Sequence, residues 1–126
     1  MTERPKRRIV HVDLTQRAVG IEVPPEALYR KYLGGSAMGM YYILRPMKPG
    51  TDPLGPDHVL TLMVSVLTGA PISGQSRMTA NARSALVDGI GDSQCGGFFP
   101  AEMRFAGFDG VVLKGRAPEA VDRWVH

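Results

Sequence analysis

Glycine and proline punctuate this chain so closely that it cannot contain a long helix: fifteen glycines and ten prolines stand among 126 residues. Inside a helix a glycine costs about 1 kcal/mol relative to alanine and a proline about 3 kcal/mol. The two residue types are scattered without a period, so they mark turns and tight loops rather than a collagen-like repeat or a linker. The fold must therefore be built from short elements joined by many turns. An apolar fraction of 44% against 21% charged residues is enough for a core and argues against disorder. A chain of this length reads as a single domain, residues 1–126, that needs no disulfide or metal to hold it.

Short periodicities show where the elements lie. Arg8, Val10, Val12 and Leu14 alternate with Ile9, His11 and Asp13, and after Thr15-Gln16-Arg17 the alternation resumes at Val19, Ile21 and Val23. Two such runs joined by a polar turn predict a β-hairpin, with His11 a surface or pairing residue on its polar face. Pro24-Pro25 ends the second strand. Pro25 then opens a helix over Glu26–Leu33, with Glu26 complementing the dipole and Gly34-Gly35 stopping it. A second helix is predicted over Ser36–Leu44, capped by Ser36, with Ala37, Met40, Tyr41 and Leu44 as its core stripe. Lys48–Asp57 is loop by composition. HVLTLMVSVLTG, from His58 to Gly69, predicts a buried strand of about eight residues. Arg77–Ser84 reads as a strand, Gly89–Gly97 as a glycine loop and Ala101–Ala106 as a short helix behind Pro100. Phe108–Gly115 and Ala120–His126 read as the last two strands. The class is α+β, with mixed or antiparallel sheets and a few short helices.

The formal charge is +3, and Arg4, Lys6, Arg7 and Arg8 alone exceed it. The remainder is close to neutral and lacks basic residues interleaved with aromatics, which argues against a nucleic-acid partner. The first six residues are expected to form a flexible basic tail. Cys95 is the single cysteine, so no internal disulfide can form and a reducing compartment is expected. The opening MTERPKRRIVHVDL has no apolar leader run, and no stretch approaches the roughly 20 apolar residues of a membrane helix. The expectation is a cytoplasmic protein with no membrane partner. One cysteine cannot hold an iron–sulfur cluster or a Cys-rich zinc site. His11, His58 and His126 lack metal-ligand spacing, and the phosphate-loop, dinucleotide and nucleophile-elbow motifs are absent. No catalytic residue and no metal ligand is assigned.

What remains is GIGDSQCGG, Gly89–Gly97. Glycines let backbone N–H groups approach a ligand closely, so the segment is either a structural turn or a loop for a phosphate-bearing cofactor. In the second case Gln94 offers an amide, and Arg77 a guanidinium able to grip phosphate bidentately. Cys95 is either a small buried filler or a thiol acidified near a helix start.

Several segments stand in a telling order: IVHVDLT (Ile9–Thr15), YLGG (Tyr32–Gly35) followed by AMGMYYIL, DPLGPDHVL (Asp52–Leu60) and SVLTGAPISG (Ser65–Gly74). DGIGDSQCGGFFPAEMRFAGFDGVVLKGRA (Asp88–Ala117) completes the series. Together they resemble the amino-terminal domain of the aldehyde ferredoxin oxidoreductase family across nearly the whole chain. The resemblance implies an α+β first domain forming a base beneath a tungstopterin, a tungsten or molybdenum ion held by two pyranopterins. It places Arg77 on the family's pterin-contacting arginine, and Gln94, Cys95 and Gly96 on its Asn-Ser-Gly contact, with Gly97 continuing the strip. Family enzymes oxidise aldehydes to carboxylic acids and pass electrons to ferredoxin. Their [4Fe–4S] cluster ligands and catalytic Glu and His lie in later domains.

The chain is then a cofactor-binding fragment or small subunit. Its partners would be the remainder of the oxidoreductase, in the same or a separate chain, and a ferredoxin-like acceptor, with a homo-oligomer as a further outcome. The alternative is a non-catalytic assembly module derived from the family. Gln94 is a methylene longer than the family's Asn, and Cys95 is a poorer hydrogen-bond donor than its Ser, which points to a diverged site.

Overall fold

The polar turn at Thr15–Arg17 reverses the chain as the alternation predicts. β1 (Arg8–Asp13) pairs antiparallel with β2 (Ala18–Glu22), and Arg17 takes a left-handed φ of 52°. His11 stands opposite Gly20, and its Nε2 lies 2.7 Å from Glu22 Oε2, a pairing role as read from the sequence. The computed structural model describes residues 7–122. Within them follow α1 (Glu26–Tyr32), α2 (Gly35–Leu44), β3 (Val59–Val64) and β4 (Met78–Arg83). β5 (Ile90–Cys95), α3 (Phe99–Phe105) and β6 (Phe108–Lys114) complete the series. The strands form one six-stranded sheet in the order β2-β1-β6-β3-β4-β5. β1 and β6 run parallel and the other neighbours antiparallel, so the sheet is mixed and the α+β expectation holds.

α1 and α2 lie over one face. Their core gathers Ile9, Tyr29, Met38, Tyr42, Ile43 and Met63. Each of the Ile and Met side chains among them, fully withdrawn from water, is worth about 1.5–3 kcal/mol. α3 covers only one end of the opposite face, packing Met103 against Val64, Met78 and Val111.

The YLGG segment links the two helices by backbone conformation. Leu33 stops α1 in the left-handed region at φ 58°, its N–H donating to the Tyr29 carbonyl at 2.9 Å. Gly34 follows at φ 86° and ψ −164°, a region open essentially to glycine alone. A Cβ at Gly34 would overlap the Val64 carbonyl oxygen and sit 3.0 Å from Ser65 Cα. The glycine is there because the chain passes that close to the end of β3.

Four expectations need correction. α2 buries Met38, Gly39, Tyr42 and Ile43, while Met40 and Leu44 are exposed and Tyr41 is half-buried. Both stripes are helically spaced, and glycine at 39 decides between them by letting the helix sit down on Thr61 and Asn81. Ser36 lies inside α2, whose N-cap is Gly34, and its hydroxyl points instead to Asp92. The continuous apolar run is a strand of six residues and is not buried throughout: Val59, Thr61 and Met63 face the helices, and on the other side Val64 is buried beneath α3 while Leu60 is 37% exposed. Finally, the glycine segment is no loop over most of its length, because Ile90–Cys95 is the edge strand β5. Its last four residues are all exposed, so it carries no apolar alternation to announce a strand. Of the strand expected over Ala120–His126, Ala120–Asp122 is irregular, and the rest, like residues 1–6, lies outside the described residues.

Candidate functional site

β4 and β5 bring the candidate residues to one corner of the sheet. Register pairs Met78 with Cys95 and Thr79 with Gln94, so the next positions outward set Arg77 beside Gly96. A Cβ on Gly96 would lie 3.3 Å from the Ser76 carbonyl oxygen, and the Ser76 hydroxyl donates to the Gly97 carbonyl. Arg77 and the Gly96–Gly97 turn are therefore neighbours, although almost twenty residues separate them in sequence.

The SVLTGAPISG segment holds Arg77 from behind. Buried Thr68 accepts from the Ser65 N–H at 3.1 Å and donates its hydroxyl to the Arg77 carbonyl at 3.1 Å. The Gly69 N–H donates to Gln75 Oε1 at 2.6 Å, closing the loop on itself. The backbone of Arg77 is thus fixed while its side chain is exposed, and among the described residues no carboxylate pairs with it.

A network that sequence reasoning missed positions β5. Asn81, only 1% exposed, donates from Nδ2 to Asp92 Oδ2 at 2.9 Å, and the Ser36 hydroxyl donates to the same oxygen at 2.5 Å. These bonds, the Ser36 one foremost, hold the Asp92 carboxyl below the usual carboxylate range. α2 and β4 thereby pin the outer strand through one carboxylate. The signal in the sequence was a polar Asn in the middle of an alternating strand, which needs a partner when buried.

The candidates do not all converge. Successive strand residues point to opposite faces. Gln94 therefore lies on the α2 side with Thr79, and Cys95 on the opposite side with Met78. Cys95 is exposed, so it is no buried filler, and three residues separate it from the start of α3. From Asp92 to Phe99 every residue is exposed, which leaves the strip open. Gly97 takes a left-handed φ of 87°, and a Cβ there would meet nothing within 4 Å.

The donor set at this corner is one guanidinium, one side-chain amide and main-chain groups beside open space. That fits an organic anion such as a pterin phosphate and does not fit a metal ion. Among the described residues no group of three His, Cys, Asp or Glu side chains is placed to hold one. No helix among them is long and apolar enough to cross a membrane.

The profile of the aldehyde ferredoxin oxidoreductase N-terminal domain matches residues 9–126. The chain belongs to that family. The tungsten-containing aldehyde ferredoxin oxidoreductase of Pyrococcus abyssi is 32% identical over 119 residues, 94% of this chain and 20% of the relative. The enzyme of the same name from Pyrococcus furiosus is 33% identical over 114 residues, 90% of this chain and 19% of the relative. The WOR-like subunit of aliphatic sulfonate oxidoreductase from the same organism is 25% identical over 122 residues. Among solved structures, the active site complex BamBC of benzoyl coenzyme A reductase, in complex with 1,5 dienoyl-CoA, superimposes with a TM-score of 0.85 at 26% identity. It covers 89% of this chain and 17% of that one. The chain thus spans about one fifth of the length of the curated relatives it matches.

Proposed function

We propose that this chain supplies one wall of the cofactor site of a tungsten- or molybdenum-pterin oxidoreductase, acting in the cytoplasm on aldehydes and passing electrons to a ferredoxin-like acceptor. The observation that carries the reading is the corner of β4 and β5: a fixed, exposed arginine, without a carboxylate partner among the described residues, beside an open Gly96–Gly97 turn. The family, whose matched relatives are named as tungsten-containing, makes tungstopterin the anion of choice.

When bound, that group supplies the two-electron chemistry that takes an aldehyde to a carboxylic acid. The chain's own residues hold and orient it. Arg77 grips an anionic oxygen with a planar fork of N–H donors. Gly96 and Gly97 admit the ligand to the main chain, because nothing projects from their α-carbons. Gln94 adds an amide from the α2 side, and Cys95 lines the opposite side of the strip. Asp92, Asn81 and Ser36 act one step back, as positioning residues for the strand that carries this strip. The metal ligation, the proton transfer and the [4Fe–4S] cluster belong to the remainder of the oxidoreductase.

The test is composition. The chain is produced in cells that make the cofactor and isolated with what it binds. The complex is then analysed for tungsten and molybdenum, and for pterin by fluorescence after oxidation. Metal and pterin in a complex with a larger chain support the reading; a metal-free, self-associated species contradicts it.

A further inference from the structure

A sheet that faces water on one side alternates apolar with polar residues, the polar ones turned to water. In β1, β2 and β4 the alternation runs the other way, with the apolar residues on the face that α1 and α2 leave uncovered. Away from α1 and α2, β1 presents Val10 and Val12, β2 presents Val19 and Ile21, β3 presents Leu60 and Leu62, and β4 adds alanines. Among the described strand residues, the charged groups turned this way are Arg8 and Asp109, both at the α3 end and both engaged there. Arg8 stacks on the Phe108 ring and donates to the carbonyls of Ala106 and Gly107, while Asp109 pairs with Arg104. The charges of His11's partner Glu22, of Asp13, Arg83, Asp92 and Lys114 all lie on the helix side.

α3 shields only the Val64, Met78 and Val111 end. Beyond it Val19 is 69% exposed, Ile21 59% and Leu60 37%. With Ile9, Val59, Met63 and Val112 buried under the helices and an apolar surface on the other side as well, the sheet is built as a middle layer, and among the described residues only α3 stands in the layer beyond it. A contiguous apolar patch of this kind marks a contact surface.

We infer that this face docks an apolar, uncharged layer supplied by the part of the oxidoreductase that this chain does not contain. The inference rests on the cofactor-wall reading above and names its partner surface. Two observations choose that occupant over a second copy of the chain. The same fold recurs, at a TM-score of 0.85, as 17% of a much longer solved chain. The curated relatives likewise carry four-fifths of their length outside the matched segment. The lack of charge on the open face fixes the chemistry of what covers it.

Two thiol reporters test this in a Cys95→Ser background: Leu60→Cys on the open face and Lys48→Cys in the loop after α2, on the helix side. In the isolated chain both react with maleimide at similar rates. Residues 7–122 are then set in place of the matching segment of the Pyrococcus furiosus tungsten-containing relative, whose remainder becomes the occupant. Labelling at position 60 should slow by at least about tenfold relative to position 48, as burial withdraws it. Equal rates in the chimera overturn the inference. So does protection at position 60 in the isolated chain with sedimentation as a dimer, which assigns the face to a second copy.

Should the chimera fail to fold, the isolated chain still decides. It should bind 8-anilinonaphthalene sulfonate, and Ile21→Lys with Leu60→Lys should cut that binding several-fold; no binding by the unmodified chain sinks the proposal. Tungsten measured in the chimera with Cys95 kept and no reporter cysteine added separates the two readings. Tungsten retained with position 60 reactive removes the docking face alone, whereas tungsten lost with position 60 protected removes the cofactor wall alone.

Discussion

Gly39→Ala sets two effects of opposite sign against each other. On an open helix the change stabilises by about 1 kcal/mol, the difference in propensity. Gly39 is not open: a Cβ would lie 2.5 Å from Asn81 Oδ1 and 2.7 Å from Thr61 Oγ1, on residues 1% and 0% exposed. Forcing an extra methyl into packing of that kind costs roughly 1–3 kcal/mol. If Asn81 yields, it gives up its 2.9 Å bond to Asp92, and an orphaned buried polar group costs roughly 1–3 kcal/mol more. The net loss should be about 2–4 kcal/mol. Urea unfolding followed by circular dichroism reads it as a lower midpoint at unchanged slope. Asn81→Ala alone should also destabilise, but the double variant should recover at least about 1 kcal/mol relative to the sum, because the colliding amide is gone. A Gly39→Ala chain as stable as the original, or more so, would refute this seating of α2 on the sheet.

Two further predictions concern the backbone and acid sensitivity. Gly34→Ala should lower stability by more than about 3 kcal/mol, seen as a collapse of the melting temperature or loss of soluble protein, since both its dihedrals and the Val64 carbonyl exclude a side chain. A melting temperature within a few degrees of the original contradicts this. Asp92 is held below the ordinary carboxylate range in the folded chain by the Ser36 hydroxyl and the Asn81 amide. The stability it lends is therefore present above its unfolded value of about 4 and is lost as the pH falls through the lower folded value. Asp92→Asn should flatten the melting-temperature profile between about pH 5 and 2, leaving the part due to Asp13, which is held down chiefly by the Gln16 N–H. Parallel profiles would show that Asp92 does not anchor β5.

Legibility followed exposure. Where a strand alternates and its partner follows at once, as in Ile9–Asp13 with Val19 and Ile21, the sequence is enough to place the hairpin. The α1 stop was legible from Gly34-Gly35, which follow at positive φ, although the left-handed cap itself is Leu33. β5 was hidden because an edge strand has little to bury, and GIGDSQC spells a turn unless one knows that Asn81 and Ser36 reach for Asp92. The buried stripe of α2 was misplaced because glycine is scored as a helix breaker, when at 39 it is the point of closest approach. The pairing of Arg77 with Gly96 and Gly97 depends on long-range register, which no local pattern encodes. The residues alone left a ligand loop with Gln94 and Arg77 as one of two readings of the glycine segment, and the family resemblance favoured it over a structural turn.

The most direct test of the cofactor wall is pterin retained per chain in the isolated complex, for the unmodified protein, Arg77→Lys and Arg77→Ala. Losing a charge-assisted bond worth about 1.5–3 kcal/mol should cut retention by roughly 10- to 100-fold in Arg77→Ala at unchanged melting temperature, with Arg77→Lys between the two. Equal pterin in all three complexes would contradict the role given to Arg77 and, with it, the cofactor wall.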